Sequence, residues 1–291
     1  MSDVSLTPRR PYLVVVRAGD NSLHPRWLES PVGAERTWDL LVNYYGDDPD
    51  KYRDADCTRI DSKGPKWPAL YDLLMQLKDV LPHYRYLWLP DDDLECSCES
   101  ITRLFAYCEQ KGFLLAQPSL TPDSYLSHLL CLHNPMFHYR FTSFVELMAP
   151  CLQQDALLTL LPTFNENLSG WGLDSLWPHL LGDKGVAIID DIQIRHTRPV
   201  GAANYGALAA KGTTAWGEML AFMEKYNIKI RIYRVWSGQR SNGTYVSNRF
   251  WVTLVVLWGA LKVAPRIAHW KTSYFVRTLL SFTRQQVLGW R

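Results

Sequence analysis

Apolar residues fall in short unbroken runs along the first part of the chain, and each run ends in polar or turn-forming residues. Tyr12 to Arg17 (Tyr-Leu-Val-Val-Val-Arg) is such a run, closed by the turn Asp20-Asn21-Ser22, and it predicts a buried strand. A second strand is expected from Trp38 to Tyr45, ending at Gly46-Asp47-Asp48-Pro49, and a short third from Cys57 to Ile60. Between Trp67 and Leu81 the spacing becomes helical, with Leu70, Leu73, Leu74 and Leu77 on one face. Tyr86 to Leu89 returns to strand. Ser100 to Lys111 reads as a helix with Ser100 as its cap, and Phe113 to Gln117 as another strand. From Val145 the pattern turns more helical, and Gly185 to Ile194 is strand-like again. Strands alternating with helices imply βαβ units, hence an α/β fold on a mainly parallel sheet flanked by helices.

The last part of the chain is patterned differently. Ser237 to Asn248 is polar, contains Gly and Ser, and reads as a linker or loop. Phe250 to Ala264 is nearly all apolar but contains Lys262 and falls short of the roughly 20 residues a membrane span needs. Thr272 to Trp290 fits an amphipathic helix, with Arg277, Arg284 and Arg291 on one face and Phe275, Leu279, Phe282 and Trp290 on the other. The expected division is therefore residues 1–236 as the catalytic domain and 237–291 as a basic C-terminal tail.

Charge sharpens that division. The net charge is only +2, yet twelve of the 31 Lys and Arg lie from Lys225 onward and none of the 29 Asp and Glu does. A basic amphipathic tail suits an anionic membrane surface, contacted through 250–291. A helix packed on the protein's own core, with its arginines simply solvated, has the same pattern. Six cysteines without zinc-like spacing or a recognisable secretory signal are expected to be reduced and structural.

The chemistry concentrates where the run Tyr86-Leu87-Trp88-Leu89-Pro90 meets Asp91-Asp92-Asp93. The C-terminal edge of an α/β sheet is where such folds bind ligands. Crowded carboxylates repel one another unless a cation lies among them, and hard divalent ions take carboxylate oxygens together with phosphates. A solvated acidic turn is the plainer reading. Upstream, Asp61-Ser62-Lys63-Gly64-Pro65-Lys66-Trp67 sets two lysines and an aromatic around a glycine, a pattern able to touch phosphate and stack a base or sugar. Downstream, Asn165 to Trp177 holds Glu166 and the loop Gly170-Trp171-Gly172-Leu173-Asp174. Its Trp could stack on a pyranose, and its carboxylate could accept a hydroxyl proton. Asp190, Asp191, His196 and Arg198 follow on one strand, and neutral His is a common metal ligand while Arg suits phosphate.

Together these pieces resemble the nucleotide-sugar-dependent glycosyltransferases with a GT-A fold. They resemble more closely a plant and bacterial family long labelled as of unknown function and thought to be glycosyltransferase-like. The matching stretches are Lys66-Trp67, Tyr86 to Leu94, Ala116-Gln117-Pro118, Phe144 to Pro150, Trp171-Gly172-Leu173-Asp174, and Val186 to Asp190 running on to His196 and Gly201. Order and spacing agree over about residues 60 to 201; the basic tail is not covered, and no particular sugar is implied. The triplet here is Asp-Asp-Asp where that family has a mixed Asp-Glu-Asp pattern, with carboxylates kept at the first and third positions.

The resemblance implies a GT-A-like, Rossmann-like α/β domain and a metal site of Asp91, Asp93 and His196 holding Mn²⁺ or Mg²⁺ on the donor diphosphate. Arg17, Lys63, Lys66, Trp67, Asp92 and Arg198 are candidate donor contacts, and Trp171 and Gly172 candidate acceptor contacts. Asp174 is the first choice for acceptor positioning or general base, with Glu146 and Glu166 as alternatives. The expected partners are a nucleotide diphosphate sugar, a UDP-sugar first among them, and a glycan or lipid-linked acceptor, with no nucleic acid. The expected location is cytoplasmic, peripheral on the inner face of the cytoplasmic membrane. A metal-dependent phospho- or nucleotidyltransferase, and a non-catalytic membrane- or nucleic-acid-docking protein, remain open on the residues alone.

Overall fold

A computed structural model describes residues 6–29, 35–53, 56–199, 208, 212–228 and 233–288. The apolar runs form β1 (Tyr12–Ala18), β2 (Trp38–Tyr44) and β4 (Tyr86–Trp88), every residue of which is buried. Such strands must be covered on both faces, which is why they read as continuous rather than alternating runs. β1 pairs in parallel with β2 on one side and β4 on the other, and β3 (Thr58–Asp61) lies outside β2. Alternate residues of β1 enter opposite cores. Val14 and Val16 pack with Trp88 and with Phe105 of α3 (Cys98–Lys111), whereas Leu13 and Val15 pack with Leu70 and Leu73 of α2 (Lys66–Gln76). The cap of α3 is Ser97, whose hydroxyl accepts the Ser100 N–H at 3.1 Å, three residues ahead of the expected position.

The sheet is mixed. In space it runs β11 (Tyr245–Val246), β10 (Val235–Arg240), β7 (Phe137–Thr142), β9 (Val186–His196), β6 (Leu115–Leu120), β8 (Cys151–Gln153), β4, β1, β2, β3. β8 (Cys151–Gln153) is antiparallel to both β4 and β6 (Leu115–Leu120), β6 is parallel to β9 (Val186–His196), and β7 (Phe137–Thr142) is antiparallel to β9. The short β5 (Leu94–Glu95) pairs with the far end of β9, placing Leu94 opposite His196. Between β8 and β9 lie α4 (Gln154–Leu160) and α5 (Leu173–Leu180). A buried ion pair braces this half. Arg140 on β7 binds Asp190 on β9 at 2.7 and 2.9 Å and also donates to the carbonyls of Leu130 and Leu132. Asp190 additionally accepts the Asn134 N–H.

The expected linker at Ser237–Asn248 is instead largely a hairpin, and the expected boundary at 236/237 falls inside a strand. β10 (Val235–Arg240) joins the sheet against β7 and turns into β11 (Tyr245–Val246). Edge strands expose one side and tolerate polar residues and glycine, so the composition mimicked a loop. Two further helices pack on the body, α7 (Arg249–Val263) and α8 (Thr272–Leu288), with α6 (Ala215–Lys225) lying before β10 in the chain. On α7, Gly259 meets Asn134 so closely that a Cβ there would stand 1.8 Å from its Oδ1, while Asn134 Nδ2 donates to the Val256 carbonyl. On α8, buried Gln286 bonds both the N–H and the C=O of Val235, supplying the backbone partners another strand would supply.

This docking reverses the expected orientation of the tail. Phe275 and Phe282 of α8, expected to face lipid, are buried against the protein, and Leu279 is half-buried. On α7, Phe250, Trp251, Leu254, Trp258 and Leu261 are between 42% and 63% exposed, and on α8 Val276, Leu280, Val287 and Leu288 are exposed as well. Trp290 and Arg291 lie outside the described residues, as does Gly201. Among the described residues no helix is long and apolar enough to cross a membrane. The six cysteines form no disulfide.

Candidate active site

The chain leaves β1 toward β2 on one side and, through β3 and α2, reaches β4 on the other, so the strand order reverses between β1 and β4. A crevice opens at the carboxyl ends of two such strands because their connections diverge. The triplet Asp91-Asp92-Asp93 leaves β4 at that point. The chain turns at Asp92-Asp93, and the three carboxylates take three different roles.

Asp92 turns into the protein. Its carboxylate accepts the Gly19 N–H at 2.8 Å and pairs with Arg198 at 3.2 Å, and its carbonyl accepts the Leu23 N–H. It therefore ties the loop after β1 to the segment after β9. Burial raises its carboxyl above the ordinary range, with the Gly19 N–H and Arg198 opposing. Asp91 binds Lys66 Nζ at 2.5 Å and keeps a side-chain exposure of 39%. Desolvation pushes its carboxyl up, Lys66 draws it down, and the Asp93 charge raises it again.

Asp93 and His196 form the metal-like pair. His196 Nε2 stands 3.3 Å from Asp93 Oδ2, and its Nδ1 lies 2.8 Å from the Tyr125 carbonyl, which can only accept. A neutral ring thus carries its proton on Nδ1 and presents the Nε2 lone pair toward Asp93, the arrangement a metal-binding histidine uses. Burial alone would lower His196; the Asp93 carboxylate and the Tyr125 carbonyl outweigh it, and the imidazole is raised. The other Asp93 oxygen, Oδ1, is buried without a hydrogen-bond partner. A buried, unsatisfied carboxylate oxygen is costly, and a cation beside it would supply the missing partner. Among the described residues no cluster of three His, Cys, Asp or Glu side chains stands at metal-ligating spacing. Two protein ligands suit an ion that keeps phosphate oxygens and water, so the residues present fit Mn²⁺ or Mg²⁺ held jointly with a diphosphate.

A second group adjoins the first. Asp174 is in the first turn of α5, and burial pushes its carboxyl up to about 6, with the Glu146 charge adding and the His128 and Ser175 interactions subtracting. Glu146 is 7% exposed; its N–H is held by Gln117 Oε1, and its Oε2 is buried without a hydrogen-bond partner. The same Glu146 charge acts on both Asp174 and His196, raising each.

Several sequence-level candidates have other work. Lys66 spends its ammonium on Asp91 and the carbonyls of Leu89 and Leu147, so it orients the triplet rather than reaching a phosphate. Trp67 is buried edge-on to Phe164 and Trp177 and offers no stacking face. A Cβ at Gly170, whose φ is +78°, would lie 2.4 Å from the Trp67 ring, so that glycine serves core packing. Lys63 binds Asp47 and the carbonyls of Tyr45 and Gly46. Arg17 is buried and donates to Asn43, Ser62 and Gly64, pinning the loop between β3 and α2; burial lowers its guanidinium to about 10. Arg198 is committed to Asp92 and the Asn21 carbonyl. Glu166 is taken by Lys225 and Tyr226, which removes it as a base. Gly172 is buried against Phe222 and Met219, whereas Trp171 remains 44% exposed.

Three residues escaped the sequence reading. Tyr45, 40% exposed just after β2, stacks with the Arg17 guanidinium at 5.2 Å and packs against Gly19 at the crevice. The doublet Tyr44-Tyr45 was a usable signal, since adjacent residues of a strand face opposite ways. His128 and Tyr233 lie side by side with ring centroids 4.9 Å apart, and nothing local marks either one.

Fold and site together define an α/β protein built on a mixed sheet, with its ligand edge at the β1/β4 switch point. No protein-family model and no curated protein matches the chain. Among solved structures it is similar to glucosyl-3-phosphoglycerate synthase from Mycobacterium tuberculosis in complex with Mn²⁺, UDP and glucosyl-3-phosphoglycerate. That likeness has 14% identity and a TM-score of 0.47, covering 76% of this chain and 81% of that one. It is also similar to S. aureus TarS 1-349 in complex with UDP-GlcNAc, at 12% identity and a TM-score of 0.43, covering 95% of this chain and 72% of that one. At such distances the residues of this chain have to carry the functional reading themselves.

Proposed function

We propose that this protein is a divalent-cation-dependent glycosyltransferase that moves a sugar from a nucleotide diphosphate donor, a UDP-sugar, to a hydroxyl acceptor. The observation that carries the reading is the Asp93–His196 pair: a tautomer-fixed imidazole facing a carboxylate whose second oxygen is buried without a hydrogen-bond partner. Asp93 and His196 would hold Mn²⁺ or Mg²⁺, with Asp91 beside them on its Lys66 tether. Bound there, the ion offsets charge building on the departing diphosphate. Tyr45, partly exposed at the crevice, is the aromatic placed to meet the nucleobase. Asp174, raised toward neutral pH, takes the proton of the acceptor hydroxyl. The acceptor oxygen bonds to the anomeric carbon, the bond from that carbon to the β-phosphate oxygen breaks, and the nucleoside diphosphate leaves with the electron pair.

The location proposed is the inner face of the cytoplasmic membrane, with a glycan or lipid-linked acceptor. The support is the exposed stripe of α7, Phe250 to Leu261, in a region rich in Lys and Arg and devoid of acids. Exposed Trp and Phe beside cations suit the headgroup region of an anionic bilayer, where each basic residue contributes about 1 kcal/mol. Co-sedimentation with phosphatidylglycerol vesicles should fall when Trp251 and Trp258 are both replaced by Ser; undiminished binding would refute the stripe.

The test of the reaction is a panel of nucleotide sugars with and without Mn²⁺, read by thermal stabilisation and nucleotide release. Metal-dependent stabilisation by UDP or a UDP-sugar is expected. Release of pyrophosphate would instead support a nucleotidyltransferase, and no response to any nucleotide would remove the reading altogether.

A further inference from the structure

We propose that the cleft between α8 and the Ser127–Leu130 segment is the acceptor site, and that it takes a hydroxylated molecule bearing a compact oxyanion, bound by Arg277. The inference rests on the glycosyltransferase reading and extends it to the substrate class. The cleft has a volume of about 360 Å³, within the roughly 300–1,000 Å³ of small-ligand pockets. Its lining includes Ser127, His128, Tyr233, Tyr274, Arg277 and Ser281. Hydroxyls on several sides are the partners a polyol needs, because each can donate or accept.

The inner wall packs on the segment that carries Glu146. His128 and Tyr233 both lean on Phe144, with ring centroids 4.8 and 4.7 Å away, two residues before Glu146. The charges of Asp174 and Glu146 act on the Tyr233 phenol, and His128 acts on Asp174. An acceptor seated in the cleft therefore has its inner end against His128 and Tyr233, on the side of Phe144 and Glu146. The outer wall is α8, whose exposed Arg277 lies over the Tyr274 ring at 5.4 Å. No carboxylate is within reach along its own segment, since the chain holds no Asp or Glu after Glu224. Among the described residues Arg277 forms no ion pair, and a guanidinium stacked on an aromatic in that state is well placed to bind phosphate or carboxylate through paired N–H groups. The fold of the tail supports the same conclusion: Gln285 and Gln286 anchor α8 to the backbone at Tyr233 and Val235, so the helix is held as a wall of the cleft.

The test uses the full chain with UDP and Mn²⁺ present. Binding of glucose 6-phosphate, glucuronate and glucose is followed by calorimetry in wild type, Arg277→Gln, Arg284→Gln and Ser281→Trp. Arg284 is on the same helix outside the cleft lining and serves as the charge control. Wild type should bind at least one anionic sugar more tightly than glucose, and whether it prefers glucose 6-phosphate or glucuronate identifies phosphate or carboxylate. Arg277→Gln should weaken that binding about tenfold or more, the range for loss of a charge-assisted contact. Arg284→Gln should leave it unchanged, and Ser281→Trp should abolish it by filling the space. Equal binding of glucose and its anionic counterparts, or equal losses in the two arginine variants, overturns the proposal. Wild type that responds to UDP with Mn²⁺ but binds no anionic sugar overturns the cleft alone. Wild type that responds to neither removes the underlying reaction with it.

Discussion

Replacing Asp174 with Asn removes a base while changing one atom pair. The Asp174 carboxyl is moved from an ordinary 3.8 to about 6, first by burial and then by the Glu146 charge. At about pH 5 only about a tenth of such a group is ionised, and at about pH 7 roughly nine tenths, so base-dependent turnover should rise about tenfold across that interval. The linkage sign runs the other way for stability. A carboxyl raised in the folded state binds its proton more tightly there than in the unfolded chain. Its ionisation therefore costs folding free energy progressively as pH rises from about 4 through 6, reaching roughly 3 kcal/mol at neutral pH. Asp174→Asn should thus lower turnover by about 10²–10⁴-fold, the range for a lost general base, while leaving Tm at neutral pH unchanged or higher. The assay is UDP release from the responding UDP-sugar between about pH 5 and 8, with Tm measured on the same samples. Turnover that is flat across that range in wild type, or wild-type turnover in the Asn variant, would refute the assignment. A variant that loses activity and stability together would show a packing role instead.

Other expectations follow from single contacts. Asp93→Ala removes both the partner of His196 and the unpartnered oxygen, so Mn²⁺-dependent stabilisation by UDP should disappear in a thermal-shift titration; an intact response would place the metal elsewhere. Asp190→Ala strips the carboxylate from buried Arg140 and should cost about 3–5 kcal/mol in urea unfolding, as broken buried pairs do. Gly259→Val forces α7 off Asn134, and an overpacked contact of that kind costs about 1–3 kcal/mol, so amide protection along α7 should fall before that of β1 and β2.

How much was legible depended on whether a residue's neighbours were local. β1, β2 and β4 were readable because strands buried on both faces need unbroken apolar runs, and those runs are visible without knowing the partner strand. The position of the triplet at a strand end was readable for the same reason. Trp67 and Lys66 were misread because nothing local distinguishes a stacking Trp from one wedged between Phe164 and Trp177, or a phosphate-binding Lys from one held by two carbonyls and Asp91. β10 and β11 passed for a linker because, among the described residues, the strand β10 pairs with beyond the hairpin is β7, far back in the sequence.

The sequence alone determined the α/β alternation, the acidic edge after β4, the histidine beyond it and the acid-free basic C-terminal region. These depend on composition and short-range periodicity, which the chain carries whatever its fold. Tertiary structure alone decided that Asp92 braces two loops while Asp93 keeps an oxygen without a hydrogen-bond partner, that the Glu146 charge acts on both Asp174 and His196, and that α8 turns Phe275 and Phe282 inward while α7 presents Phe250, Trp251 and Trp258 outward. An amphipathic pattern states that a helix has an apolar face; only the surface it meets decides whether that face is covered by protein or left open to a partner.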